Sequence, residues 1–381
     1  MPAEKKRPRG LKSSAAASKS TPKKVKTEVD EKDIPENAQT VVIDKVVEEG
    51  DEVGEAAALF ENALEKLDKN PSEALTLLRG TVHESDRILR NWESEQPLPS
   101  LFYYTYGSAL YELGRLTEEE EFTPYLEAAE ERLQDGFDHL KKIDQVTDDE
   151  VVNKMNITLA KIWLAKAAML VDDDSTTIPD LAVRALETLD KTCEKSKVST
   201  ANLVEIGSIV QNHGDLYSVL EPRTKFTQWA EILFKRILDD EPNNARVLSE
   251  LGLSQLSLGN YWLERMDEKE DVSEQKEDRT ERINEEQKAY DAFVEAKKYF
   301  LQAQESLEKS KTLTPQIFSD LAEAYLNEAN LTLDSKEQKE LYEQAVKNIN
   351  EAKNLGSGLD YVLPEGLELF LDEWNSEEKV A

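Results

Sequence analysis

The feature that most restricts what this chain can fold into is a block of internal order between residues 228 and 261. Ala230, Phe234, Ile237 and Pro242 carry the spacing of a repeat's second helix, in which a small residue admits the neighbouring helix. Asp239-Asp240-Glu241-Pro242-Asn243-Asn244 then reads as a turn between repeats, where Pro ends one helix and Asn starts the next. Leu248, Leu251, Gly252, Gly259 and Tyr261 follow in the register of a first helix. Gly252 falls where two helices cross with no room for a Cβ. One such hairpin cannot bury its own apolar face, so the pattern requires stacked neighbours.

Those neighbours are visible as weaker copies. First-helix registers recur at Tyr103, Tyr106, Gly107, Ala109, Leu110 and Gly114, and at Leu203, Ile206, Gly207, Val210 and Gly214. Phe318, Leu321, Ala322, Ala324 and Tyr325 give another. Second-helix registers recur at Ala296, Phe300 and Ala303 and at Ala345, Ile349 and Ala352, with a degenerate pair around Leu159-Ala160-Trp163 and Ala182-Leu186-Leu189. Several copies hold about ten extra residues between their two helices, so the repeats are divergent ones. Only 14 Gly and 13 Pro occur in 381 residues, too few for the turn every 8–12 residues that a sandwich or barrel needs. The expectation is an all-α, tetratricopeptide-like solenoid over residues 51–381, preceded by a disordered basic tail over 1–50.

Two stretches interrupt the pattern. Residues 264–288 are rich in charge and nearly without apolar anchors, which predicts a solvated loop or a polar helix extension. Between Leu359 and Trp374, the residues Tyr361, Leu367, Phe370, Leu371 and Trp374 form a helical stripe after Pro364. It reads as a helix capping the last repeat, with an exposed docking helix as the alternative.

Charge is divided unevenly. Residues 1–27 carry nine basic side chains against one acid, a tail of +8 on a chain whose net charge is −32, which leaves about −40 for the rest. Such a body repels phosphate backbones and anionic membranes and is complementary to basic proteins, though the same charge also serves solubility. In the tail, Lys5, Lys6, Arg7 and Arg9 form one basic cluster and Lys23, Lys24 and Lys26 a second. Both have the density of a nuclear localisation signal for an import receptor. The single cysteine, Cys193, excludes an internal disulfide framework and fits a reducing compartment. No apolar core of a secretory signal is present near residue 1, and the apolar run from Trp163 to Val171 is too short for a membrane span and is broken by Lys166. The chain therefore reads as soluble and intracellular.

The search for chemistry is negative. No phosphate-cradling glycine loop or nucleophile-elbow motif occurs, and the three histidines, His83, His139 and His213, lack metal-ligand spacing. The sequence predicts no catalytic, cofactor or metal site. One segment stands out, Gly80 to Arg90. With Val82, Ile88 and Leu89 toward a core, His83, Asp86, Arg87 and Arg90 share the neighbouring helical stripe, and Asp86 can pair with Arg90. His83, Glu84, Asp86, Arg87 and Arg90 form either a polar network that fixes the first helices or a partner site.

The run Gly80-x-Val82-His83-Glu84-x-Asp86-Arg87-x-Leu89-Arg90 resembles a motif near the start of the folded part of the fungal enhancer-of-translation-termination family. Lys6-Arg7-Pro8-Arg9-Gly10-Leu11 is similar to that family's basic start, with Arg9 where the motif has Leu. Length, acidity, helical repeats and the ending agree along essentially the whole chain. The resemblance implies a nuclear adaptor, shuttling or resident, that binds a 2-oxoglutarate- and iron-dependent prolyl hydroxylase and its basic small-subunit ribosomal substrate. It also implies links to translation termination and to hypoxic gene expression. A general acidic chaperone or import adaptor for histones and other basic nuclear proteins is the competing reading, and neither involves direct contact with nucleic acid or membrane.

Overall fold

Short polar side chains set where five of the helices begin. Asp51 Oδ1 accepts from Gly54 N at 2.9 Å, Asn70 Oδ1 from Glu73 N at 3.2 Å, and Ser199 Oγ from Asn202 N at 3.3 Å. Asn244 Oδ1 accepts from Val247 N at 3.1 Å and Asp334 Oδ1 from Glu337 N at 2.8 Å. Each satisfies a backbone donor that a first helical turn leaves unpaired. The architecture that follows comes from a computed structural model describing residues 47–378, apart from 49, 68, 94–95, 118, 143–148, 173–174, 196–197, 268–280 and 360. Among the described residues there are thirteen α-helices and no strand.

The chain divides into two compact units. The first contains α1 (Glu52–Lys66), α2 (Pro71–Asn91), α3 (Ser100–Leu116), α4 (Glu119–Lys142), α5 (Asp149–Ala168) and α6 (Asp180–Lys195). These pair as the hairpins α1–α2, α3–α4 and α5–α6; the first helices α1, α3 and α5 stack in succession, while α2 packs on α3 and α4 on α5. Phe60, Leu77, Leu78, Ala109 and Leu113 make the buried joint between the first two hairpins. The expected copies around Tyr103 and Leu159 lie on α3 and α5, and the pair at Ala182 lies on α6. The structure adds a hairpin before them, α1–α2, and places α4 as the partner of α3.

The second unit contains α7 (Thr200–Gly214), α8 (Leu220–Asp240), α9 (Ala245–Asp267), α10 (Asn284–Ser310), α11 (Pro315–Leu331), α12 (Ser335–Gly356) and α13 (Glu365–Glu378). Again consecutive helices form hairpins, and α7, α9 and α11 stack as first helices. Phe293, Phe300, Ile317, Leu321 and Ile349 run through the core that joins α9 to α11 and the helices after it. The expected close crossing is present: a Cβ on Gly252 would lie 2.4 Å from Phe300 Cε1 of α10, and one on Gly207 would lie 2.3 Å from Phe234 Cε1 of α8. The same joint, a first-helix glycine under a second-helix phenylalanine, thus recurs in two successive hairpins.

Of the two interruptions, the first matches one of its two expected forms and the second needs correction. Where residues 264–288 are described they chiefly take the helix-extension form: 264–267 end α9 and 284–288 open α10, where buried Glu286 accepts from Ile283 N at 2.9 Å; residues 268–280 lie outside the described part. Tyr361 does not share the helical stripe of Leu367, Phe370, Leu371 and Trp374. Pro364 delays α13 to Glu365, and Tyr361 instead lies over Gly356 with its hydroxyl bonded to Ser319. α13 packs on α11 and α12, with Leu367 and Leu371 buried and Phe370 and Trp374 beside the ring of Tyr342 at 5.6 and 6.1 Å. No helix among the described residues is long and apolar enough to cross a membrane.

Candidate partner-binding site

The polar stripe singled out in the sequence lies on α2, held by the apolar side of that helix. Ile88 is buried, and partly buried Val82 packs against the joint with α1 and α3. Glu84 and Arg87 meet at one helical turn: Arg87 Nε donates to Glu84 Oε1 at 2.9 Å and Oε2 at 3.1 Å. Arg87 Nη2 reaches across to Glu52 Oε1 on α1 at 2.9 Å. The hydrogen bonds that the guanidinium donates to Glu84 first, and to Glu52 second, hold its pKa above its ordinary value. Asp86 faces the other way, toward α3, where the Tyr106 hydroxyl donates to it. Burial first, and the Asp86 bond second, raise that hydroxyl's pKa. Arg90 Nη2 stands 3.9 Å from Asp86 Oδ2, a loose pair at the exposed end. His83 is exposed on the same helix, and none of these bonds runs through it.

Four of the five candidates are therefore brought together in two small groups, one tied to α1 and one to α3. The partners Glu52 and Tyr106 escaped sequence reading, because Arg87 and Glu52 stand 35 residues apart and Asp86 and Tyr106 stand 20 apart. No local spacing announces such pairs. The side chains of the basic clusters, Lys5, Lys6, Arg7, Arg9, Lys23, Lys24 and Lys26, lie outside the described residues. In the same unit, Lys166, read as a break in an apolar run, is the partner of a carboxylate: its Nζ lies 2.5 Å from Glu130 Oε2 while Trp163 Nε1 donates to Glu130 Oε1 at 2.8 Å. Burial acts to raise the Glu130 pKa, and these two donors outweigh it and lower it.

The second unit holds a denser polar arrangement that the sequence did not reveal. Arg223 on α8 is only 8% exposed. Its Nη2 lies 2.6 Å from both Asp215 Oδ1 and Ser257 Oγ, and its guanidinium carbon lies 5.1 Å from the Tyr261 ring centroid. It borders a groove of about 430 Å³ walled by α8 and α10 and floored by α9. At the groove's rim Lys288 Nζ sits 4.1 Å from the centroid of Trp262. Beneath α8, His213 packs against Phe226 at 4.6 Å and Tyr217 at 5.7 Å. Burial pushes its pKa down to about 4, so the ring is neutral at neutral pH. Burial likewise pushes the Tyr217 hydroxyl up to about 12. Such a closed aromatic cluster stabilises the fold rather than exchanging protons. Among the described residues, no group of three or more His, Cys, Asp or Glu is placed to hold a metal ion.

Comparison with known proteins gives a consistent result. The family model described as "Nuclear pore complex subunit Nro1" matches residues 3–242. The Schizosaccharomyces pombe protein "Negative regulator of ofd1" is 33% identical over 152 residues, 37% of this chain and 36% of that protein, so this alignment spans little more than a third of the relative. The Candida albicans protein "Enhancer of translation termination 1" is 26% identical over 409 residues, 88% of this chain and 93% of the relative. Among solved structures, the S. pombe nuclear import adaptor Nro1 superposes with a TM-score of 0.51 at 22% identity, covering 85% of this chain and 99% of that one. At that identity the structural likeness is one of fold. It places the two-helix repeats of this chain on an architecture already seen in crystals.

Proposed function

The chain belongs to the Nro1 family, and from that premise we infer that it is a nuclear adaptor and regulator which acts by binding other proteins and carries no catalysis of its own. The observation that carries this reading is the pairing of a +8 tail with a body of about −40. A basic address on an acidic surface is what transport of a cationic client requires, since the client's charge draws it to the body and away from the tail. The relatives are described as a regulator of ofd1, an import adaptor and an enhancer of translation termination. On that ground the proposed partners are a 2-oxoglutarate- and iron-dependent prolyl hydroxylase, its basic ribosomal-protein substrate and a nuclear import receptor. The tail over residues 1–50 would engage the receptor and the repeats the other two. Glu84, Asp86, Arg87 and Arg90 of α2 would serve as the network that sets the first hairpin against α3, because the bonds that Arg87 and Asp86 make run inward to α1 and α3, while exposed His83 stands apart from it.

Affinity purification of the tagged chain from its native cells, with partners identified by mass spectrometry, tests the proposal. Recovery of the hydroxylase in a complex weakened by charge reversal on the repeats is the expected result. Recovery of histones and assorted basic proteins without it would favour a general acidic chaperone.

A further inference from the structure

We propose that the groove between α8 and α10 receives an extended peptide segment bearing lysine or arginine, one of whose cations takes the place that Lys288 holds over Trp262. The proposal rests on the adaptor reading and locates its client-binding site. The groove's volume, about 430 Å³, lies in the range of sites that take several side chains. Its two bases differ in kind. Arg223 is buried and fixed by Asp215, Ser257 and the Tyr261 ring, so it belongs to the wall. Lys288 is exposed, and its ammonium rests on the face of Trp262. That contact is one an incoming cation can match in kind and replace. Around it stand Glu231, whose pair with Lys235 at 2.6 Å involves a base that is 57% exposed, and Asp291, which accepts from Gln287 Nε2 at 2.7 Å. Once Lys288 has moved aside, an indole face and the Asp291 carboxylate are left, with Glu231 shared with the exposed Lys235, the chemistry that holds a lysine or arginine side chain. Leu220 and Leu258 offer apolar contact beside it. A nucleic acid does not fit, because the acidic body repels phosphate.

The test is titration of the full chain, at physiological ionic strength, with a short fluorescein-labelled peptide in which glycines separate lysines and arginines, and with its glutamate counterpart. The basic peptide is expected to bind and the acidic one not. Lys288→Ala should tighten binding by about two- to five-fold, because it removes the internal competitor. Asp291→Lys should weaken it by about ten-fold, and the milder Asp291→Asn by about three-fold. Glu343→Lys makes the same charge change on an exposed position of α12, outside the groove, and should leave affinity within about two-fold. Unchanged or weaker binding by Lys288→Ala overturns the proposal. So does an equal loss in Glu343→Lys and Asp291→Lys, which would assign binding to diffuse surface charge. Either failure leaves the adaptor reading to be decided by the partners recovered from cells.

Discussion

Gly252→Leu probes the joint on which the repeat stacking depends. A first side-chain carbon at this position falls 2.4 Å from Phe300 Cε1, 2.6 Å from Cδ1 and 2.8 Å from Cζ. Carbon atoms in contact need about 3.5–4.0 Å, so the ring would have to retreat by roughly 1 Å before the rest of the leucine is placed. Phe300 has no room to retreat, since it is fully buried between α9 and α11. Overpacking of this kind costs about 1–3 kcal/mol, and leucine should reach the upper end of that range. Replacing a mid-helix glycine returns about 1 kcal/mol of helix propensity, which leaves a net loss of about 2 kcal/mol. Gly80 supplies the opposite case: it lies inside α2 with nothing within 4 Å of its would-be Cβ. Gly80→Ala should therefore stabilise by about 0.5–1 kcal/mol. Urea denaturation followed by far-ultraviolet circular dichroism reads both, as midpoint shifts of opposite sign at unchanged slope. In a Phe300→Ala background the cost of Gly252→Leu should shrink, with a coupling of about 0.5–3 kcal/mol. A Gly252→Leu midpoint at or above that of the wild type, with no relief in the double variant, would refute the close crossing.

Three further outcomes follow from the geometry. His213 has a folded-state pKa near 4 against an ordinary value of about 6.5, so unfolding takes up a proton below that value. Its contribution is complete above about pH 6.5 and is lost as pH falls toward 4, by at most about 3 kcal/mol, and His213→Gln should flatten this part of the stability–pH curve. Tyr106→Phe removes the bond to Asp86 and should cost about 1 kcal/mol in chemical denaturation, whereas Arg90→Ala, whose pair is long and exposed, should cost under about 0.5 kcal/mol; equal losses would contradict the arrangement on α2. Neutralising Lys5, Lys6, Arg7, Lys23, Lys24 and Lys26 together should send a fluorescent fusion to the cytoplasm, and unchanged nuclear signal would retire the tail as an address.

The parts of the fold that were legible are those whose physics is local. Pro242 and Asn244 mark a helix end and a helix start within three residues, and the structure ends α8 at Asp240 and starts α9 at Ala245. Gly252 was readable because a glycine at that register has one packing explanation, and Phe300 was readable as a second-helix anchor. The first hairpin was harder to see. Its start signals, Asp51 and Asn70-Pro71, are present, but α1 buries mainly alanines, which carry little periodic contrast. The division into two units left no mark on composition that sequence reading detected. The polar joints were illegible for a different reason. Arg223 stands more than thirty residues from Ser257 and Tyr261 and meets them only after α8 and α9 pack together. Glu286 looked like one more charge in a polar run until the fold turned it back onto the backbone at the start of α10.

The central proposal is that this acidic repeat protein binds a prolyl hydroxylase through more than attraction of positive charge. The most direct measurement is a titration of the purified chain with the purified prolyl hydroxylase of the same cells, in the presence and absence of excess histones. Saturable binding that histones do not displace, and that persists at about 0.3 M salt, is the predicted result. Binding to histones of equal strength, lost for both ligands at that salt, would contradict it.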